Sequence, residues 1–234
     1  TALLPMISRQ LEKGDINDAN NAQNRGAEFA LLLTLPAAVA LIAIPGPIVA
    51  TLFERGAFDA AATQATATAL AAYALGLPAY VGIRVFTPGF FAREDTKTPV
   101  IIAALSIIVN IALNLILMRE FAHVGIAIAS SVSAWLNVLG LVIILMMRGH
   151  YTMDRRLLIR SLGIIAASII MGAGLWFGAA WATPWLAKGA MIEVAALTAL
   201  IIGGGIVYFA SARIFCVFSL AEIKATTRRS PPTA

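Results

Sequence analysis

Few side chains in this sequence could do chemistry. The most telling is Arg84, set inside the apolar run GIRVFTPGFF. The helical rise puts it about 10 Å from the end of its span. A charge at that depth either faces a cavity or a partner, or snorkels to the nearby interface. In a cavity it would suit an anionic substrate, because a guanidinium grips phosphate through two parallel hydrogen bonds. Charged residues also flank the apolar runs. Glu54 and Arg55 follow the first, and Arg93, Glu94, Asp95 and Lys97 crowd the loop before Thr98-Pro99. With Arg84, the residues Glu54, Arg55, Arg93, Asp95 and Lys97 are the candidates for lining or gating a substrate cavity. The loop also reads as a solvated turn, with Thr98 as an N-cap and Pro99 as the first helical residue.

A second group is neutral. Asn110 and Asn114 stand four residues apart, on one face of a helix, and Ser130, Ser131 and Ser133 follow in the next apolar run. Amides and hydroxyls in hydrocarbon need partners, so the two runs are expected to face each other. Asn110, Asn114 and Ser130 could also help to coordinate a small coupling cation such as sodium. Other chemistries find no footing. His123 and His150 fall in different loops, Cys216 is the single cysteine, and no metal-ligand spacing, phosphate-binding glycine loop or triad is present. An enzyme, a bound metal and an organic cofactor are therefore not expected.

The elements that must carry these residues are membrane helices. The chain is 60% hydrophobic and only 12% charged, with a mean hydropathy of +0.86. A soluble domain carries about 25% charged residues. Six apolar runs are long enough to cross the bilayer, near residues 29–53, 66–91, 100–118, 124–147, 162–181 and 190–215. They do not alternate apolar with polar, which excludes a β-barrel. The expected fold is all-α, a polytopic bundle of about six spanning helices. Residues 1–26 read as the end of an upstream helix and a polar cytoplasmic connector. Residues 27–148 carry four spans, 149–219 two more, and 220–234 form a basic cytoplasmic tail. The opening TALLPMIS, which starts without methionine, predicts a preceding segment.

Breaks cluster in the first two spans. Pro36, Pro45 and Pro47 interrupt the first, and Pro78, Pro88 and Gly89 the second. Each proline removes a helical hydrogen bond. Such breaks serve either as hinges beside a cavity, as in transporters, or in ordinary membrane packing. Gly174, Gly178 and Gly203–Gly205 give the last two spans smooth faces for close packing, or for a lipid-tail groove.

Charge sets the orientation. Thirteen of the 17 lysines and arginines fall on the side of the N-terminal segment, three on the other, and Arg84 within a span. Both ends of the chain are thus expected in the cytoplasm. The basic residues form no stripe with interleaved aromatics, so the net charge of +5 does not point to nucleic acid.

The order of motifs is specific. ALLPMIS precedes the connector, PIVATLFERGAF runs from Pro47 to Phe58, FFAREDTKTP from Phe90 to Pro99, and VNIALNL follows. This resembles the MurJ (MviN) family of lipid II flippases, in the multidrug/oligosaccharidyl-lipid/polysaccharide exporter superfamily. The resemblance implies two six-helix lobes plus two extra C-terminal helices, of which this chain would hold the end of the eighth helix and helices nine to fourteen. It implies a place in the bacterial cytoplasmic (inner) membrane. There the protein would carry lipid II, or a related polyprenyl-diphosphate lipid, to the outer leaflet for peptidoglycan synthesis by alternating access. Membrane lipids and the N-terminal half of the same protein would be its partners, and the last two helices would cradle the lipid tail. The diphosphate-binding arginines of the family lie mostly upstream of Thr1. Two other readings remain: an exporter of another lipid-linked oligosaccharide or of drugs, and a non-transporting scaffold of the cell-wall machinery.

Overall fold

The computed structural model describes residues 3–186 and 190–215. Among them every regular element is a helix: α1 (Leu3–Glu12), α2 (Ile16–Ala43), α3 (Pro45–Phe53), α4 (Ala60–Ala74), α5 (Leu77–Phe91), α6 (Lys97–Met147), α7 (Arg155–Leu186) and α8 (Ala190–Ile214). Lys188, Cys216 and the basic tail lie outside the described residues.

Five stretches are long and apolar enough to span a membrane, yet they make six crossings. The difference lies in α6. Its 51 residues would make a rod about 76 Å long, more than twice the ~30 Å of hydrocarbon. At Ala122 the backbone leaves the helical region (φ 46°, ψ −126°), and the second limb returns along the first. A side chain on Gly125 would stand 2.4 Å from the Leu117 carbonyl oxygen, so only glycine lets the two limbs close up. Gly125→Ala is expected to destabilise the protein by about 1–3 kcal/mol, read as a lower thermal midpoint in detergent.

The first span starts earlier than the apolar pattern predicts. Asp15 caps α2, its carboxylate accepting from the Asp18 amide at 3.2 Å. The polar stretch from Ile16 to Arg25 is thus helix rather than connector. Two of its polar side chains are buried: Gln23 is 1% and Asn24 0% exposed. Beyond Ala43 the same span breaks at Ile44, and Pro45 opens the short α3. The second span is likewise two helices, α4 and α5, parted at Leu75-Gly76. Pro36 and Pro88 sit inside α2 and α5, while Pro78 sits in the first turn of α5.

Two cores hold the fold. In one, Val85, Phe86 and Phe90 of α5 pack against Ile102, Val138, Leu141 and Leu145 of α6, with Tyr151 beneath them. In the other, Ile44 and Leu35 meet Ile164, Met171 and Leu175 of α7 and Leu197 and Tyr208 of α8. The outer surface is a sheath of exposed Ile, Leu, Phe and Trp, which only lipid can solvate. The loops 13–15, 92–96 and 148–154 meet at one end, where hydrogen bonds join them and their flanks. This is the basic, cytoplasmic end. Residues 54–59 and the turn at Ala122 lie at the other.

Candidate functional site: a polar pocket within the membrane and a locked cytoplasmic end

The residues singled out from sequence fall in three places rather than one. The first is a pocket between α5 and the two limbs of α6. It has a volume of about 330 Å³, and its lining includes Tyr80, Ser106, Asn110, Ser130, Ser133 and Asn137. The α6 hairpin brings Asn110 opposite Ser133, whose hydroxyl accepts from the Asn110 amide at 3.1 Å. The Ser133 hydroxyl donates in turn to the Ser130 carbonyl at 3.0 Å. One turn along, the Asn114 amide donates to the Asn110 side-chain oxygen at 3.0 Å. The two runs therefore do face each other. Ser130 enters this chain through its backbone oxygen, and Ser131 points away from it, its hydroxyl donating to the Ala72 carbonyl at 2.7 Å. The side-chain oxygen of Asn114 is buried without a hydrogen-bond partner.

Arg84 stands one helical turn beyond Tyr80, on the same exposed face of α5. It makes no hydrogen bond or ion pair among the described residues. Behind that face Val85 and Phe86 are buried. Helix α5 thus turns its apolar side into the lobe and its tyrosine and arginine outward.

The second place is the cytoplasmic end. Arg93 donates to the carbonyls of Gly89 (2.7 Å) and His150 (3.2 Å), tying the end of α5 to the loop after α6. Arg148 bridges the Asp95 carboxylate and the Thr98 hydroxyl. The N-cap of α6 is Thr96 and not Thr98; its side chain makes no capping bond, and Asp95 just before it accepts from the Thr98 amide at 3.0 Å. A carboxylate is the stronger acceptor here, and Pro99, in the first turn, has no N–H to satisfy. Hydrogen bonds from the Thr98 hydroxyl and amide, then from Arg148, hold the Asp95 carboxyl well below the usual range. Lys97 is exposed. Gly89 lies under Gln23, whose amide nitrogen would stand 2.6 Å from a side chain there, so this glycine marks a close helix crossing.

The centre of this end is Glu28, which the sequence did not single out. It is 9% exposed and pairs with Arg25 and Arg160, with Arg156 3.6 Å away. Arg25 also pairs with Asp154. Beside this cluster Asn20 and Asn24 donate to the Thr152 carbonyl, each at 3.0 Å, and Tyr151 donates to the Asn24 side-chain oxygen at 2.7 Å. The only signal in the sequence was an acid one residue before an apolar run, three residues after an arginine.

Burial pushes the Tyr151 phenol up from 10.0 to about 12. The folded state thus holds the proton more tightly than the unfolded chain. The resulting stability is whole below pH 10 and is lost as pH rises through about 12. Tyr151→Phe leaves the Asn24 oxygen short of a buried donor and is expected to cost about 1–3 kcal/mol at neutral pH. Thermal unfolding across pH should show that deficit shrinking above pH 10.

The third place is the far end. The Glu54 carboxylate accepts from the Thr63 hydroxyl at 2.8 Å, Arg55 donates to the Thr51 carbonyl at 3.2 Å, and His123 contacts the Ala65 carbonyl at 3.1 Å. Glu54 and Arg55 are therefore separated by the membrane from Arg93, Asp95 and Lys97. These five frame the two ends of the lobe and do not line one cavity.

Apolar grooves complete the surface. One of about 630 Å³ opens between α7 and α8, and its lining includes Gly174, Gly178, Gly203, Gly204 and Trp181. Gly178 and Gly204 are the close contacts, meeting Leu200 and Leu175, whereas Gly174 and Gly203 open onto the groove. No group of three or more His, Cys, Asp or Glu that could hold a metal occurs among the described residues.

Long apolar helices, several of them broken, and a polar pocket at membrane depth define the class: a polytopic helical membrane protein. The chain belongs to the lipid II flippase MurJ family, whose model matches residues 1–220. A probable lipid II flippase MurJ of Rhizobium meliloti (strain 1021) is 45% identical over 98% of this chain. One of Vibrio cholerae is 31% identical over 97%. A solved lipid II flippase MurJ in an inward closed conformation matches 92% of this chain and 42% of its own, with a TM-score of 0.71 at 27% identity. The chain spans 43% of the length of the Rhizobium meliloti relative. It is a multi-pass protein of the bacterial inner membrane.

Proposed function

We propose that this chain supplies one lobe, with its appended helix pair, of a flippase that moves lipid II from the inner to the outer leaflet by alternating access. It acts as a transporter and not as an enzyme. The observation that carries this reading is the outward face of α5, where Tyr80 lines the Asn110–Ser133 pocket and Arg84 stands exposed one turn further along the helix. A charged row facing lipid is costly, so the face is complementary to a second lobe across a central cavity. There Arg84 meets the anionic diphosphate of the substrate. The partners are lipid II, the surrounding lipids and the N-terminal part of the same protein. The groove between α7 and α8 takes the polyprenyl tail.

A coupling cation such as sodium is part of the proposal. The unpartnered Asn114 oxygen beside Asn110 and Ser130 supports it, being a hard acceptor of the kind such ions use. Lipid II exposure on the outer leaflet tests the reading. Depletion of the full-length protein should abolish exposure and re-expression restore it, in a sodium-dependent manner. Unchanged exposure on depletion would reject lipid II as the substrate, and restoration independent of sodium would reject that ion.

A further inference from the structure

Pro36 lacks an N–H, so the carbonyl of Leu32, one turn earlier in α2, has no helical partner. In hydrocarbon such a group must find a donor elsewhere. It does so in α8: the Tyr208 hydroxyl donates to the Leu32 oxygen at 2.8 Å, across 176 residues of sequence. Tyr208 is 4% exposed, so its own hydroxyl has the same need. Each satisfies the other.

The surroundings of α2 differ on the two sides of this point. Toward the cytoplasm, Gln23, Asn24 and Glu28 bind it to α5, α7 and the loop before α7. Beyond Pro36 it is held by apolar packing of Val39, Ala40, Ala43 and Ile44 in the core with α7 and α8, and it is flanked by two cavities. One, of about 440 Å³, lies against α7 and α8 beside Pro36, Gly205 and Tyr208. The other, of about 450 Å³, lies against the α4–α5 break and Trp135. This half leads through Ile44 into α3 and the far-end loop.

We propose that Tyr208 is a positioning residue that sets the bend of α2 at Pro36. Release of its hydrogen bond lets the far half of α2 swing between the flanking cavities. The appended helix pair thereby governs the far end of the lobe, through one hydrogen bond to a proline-freed carbonyl. The link to transport rests on the flippase reading; the bend itself does not.

Spin labels at positions 29 and 52, both exposed in the parent, report the bend in the full-length protein in lipid nanodiscs. Tyr208→Phe should shift or broaden the distance distribution by about 3 Å, the reach of a modest kink change over a lever of this length. Pro36→Ala returns a backbone donor to Leu32, so Tyr208→Phe on that background should change nothing. An unchanged distribution in Tyr208→Phe, or a shift that persists undiminished with Pro36→Ala, would overturn the proposal. Should Tyr208→Phe alone fail to accumulate, the double variant should accumulate, because residue 36 then supplies the donor; failure of both is equally adverse. Distances are read without substrate, so loss of the lipid II reading would leave this result standing.

Discussion

Arg84→Ala is expected to lower lipid II exposure on the outer leaflet by about 10- to 100-fold, with the protein still folded and inserted. A charge-assisted bond to phosphate contributes about 1.5–3 kcal/mol, and each 1.4 kcal/mol is a factor of ten. The fold should not suffer, because Arg84 is exposed and makes no bond among the described residues. Exposed substitutions of that kind stay within about 0.5 kcal/mol. Arg84→Lys keeps the charge but not the two-pronged geometry, and should fall between the two. The measurement is outer-leaflet lipid II in depleted cells rescued by each variant at matched expression. Equal rescue by Arg84→Ala would reduce the residue to a snorkelling side chain and remove the strongest support for a substrate-facing role of α5.

The largest effect on stability is expected at Glu28. It is the carboxylate on which Arg25, Arg156 and Arg160 converge, and its side chain is 12% exposed. Removing one partner of a buried pair costs about 3–5 kcal/mol, since the other charge stays behind in a poor solvent. Arg156 is 45% and Arg25 33% exposed, so screening discounts their share. Arg160, at 14%, carries most of it. Glu28→Ala should therefore destabilise by about 3 kcal/mol, read as a fall in thermal midpoint in detergent. Glu28→Ala with Arg160→Ala should cost clearly less than the sum of the two, because the second change removes the charge that the first had stranded. Strict additivity would show that the pair adds nothing to the link between α2 and α7.

That link was hidden in the sequence for a physical reason. A membrane span announces itself because about 20 apolar residues in a row have no other use, and lysine and arginine mark its cytoplasmic end. The apolar spans and the all-helical class were therefore legible. So was the reversal near Ala122, since a run of that length cannot fit a single crossing. The pairing of the Asn110 and Ser130–Ser133 runs also followed, because polar groups in hydrocarbon must meet.

What lay beyond reach depended on partners distant in sequence. Residues 16–25 read as a connector because they are polar; they are helix because Tyr151, Thr152 and the Phe86 carbonyl supply what their side chains need. Nothing local foretold that the Asp95 carboxylate, and not the Thr98 hydroxyl, would serve the start of α6. The density of prolines foretold broken helices, but not that Tyr208, Ser131 and Trp135 would supply donors around the breaks. Periodicity and composition report what each segment must do with solvent, which is a local property. Which donor meets which acceptor is set by the packing of helices more than 100 residues apart in sequence, as for Asn24 with Tyr151 and Leu32 with Tyr208, and only the tertiary structure decides it.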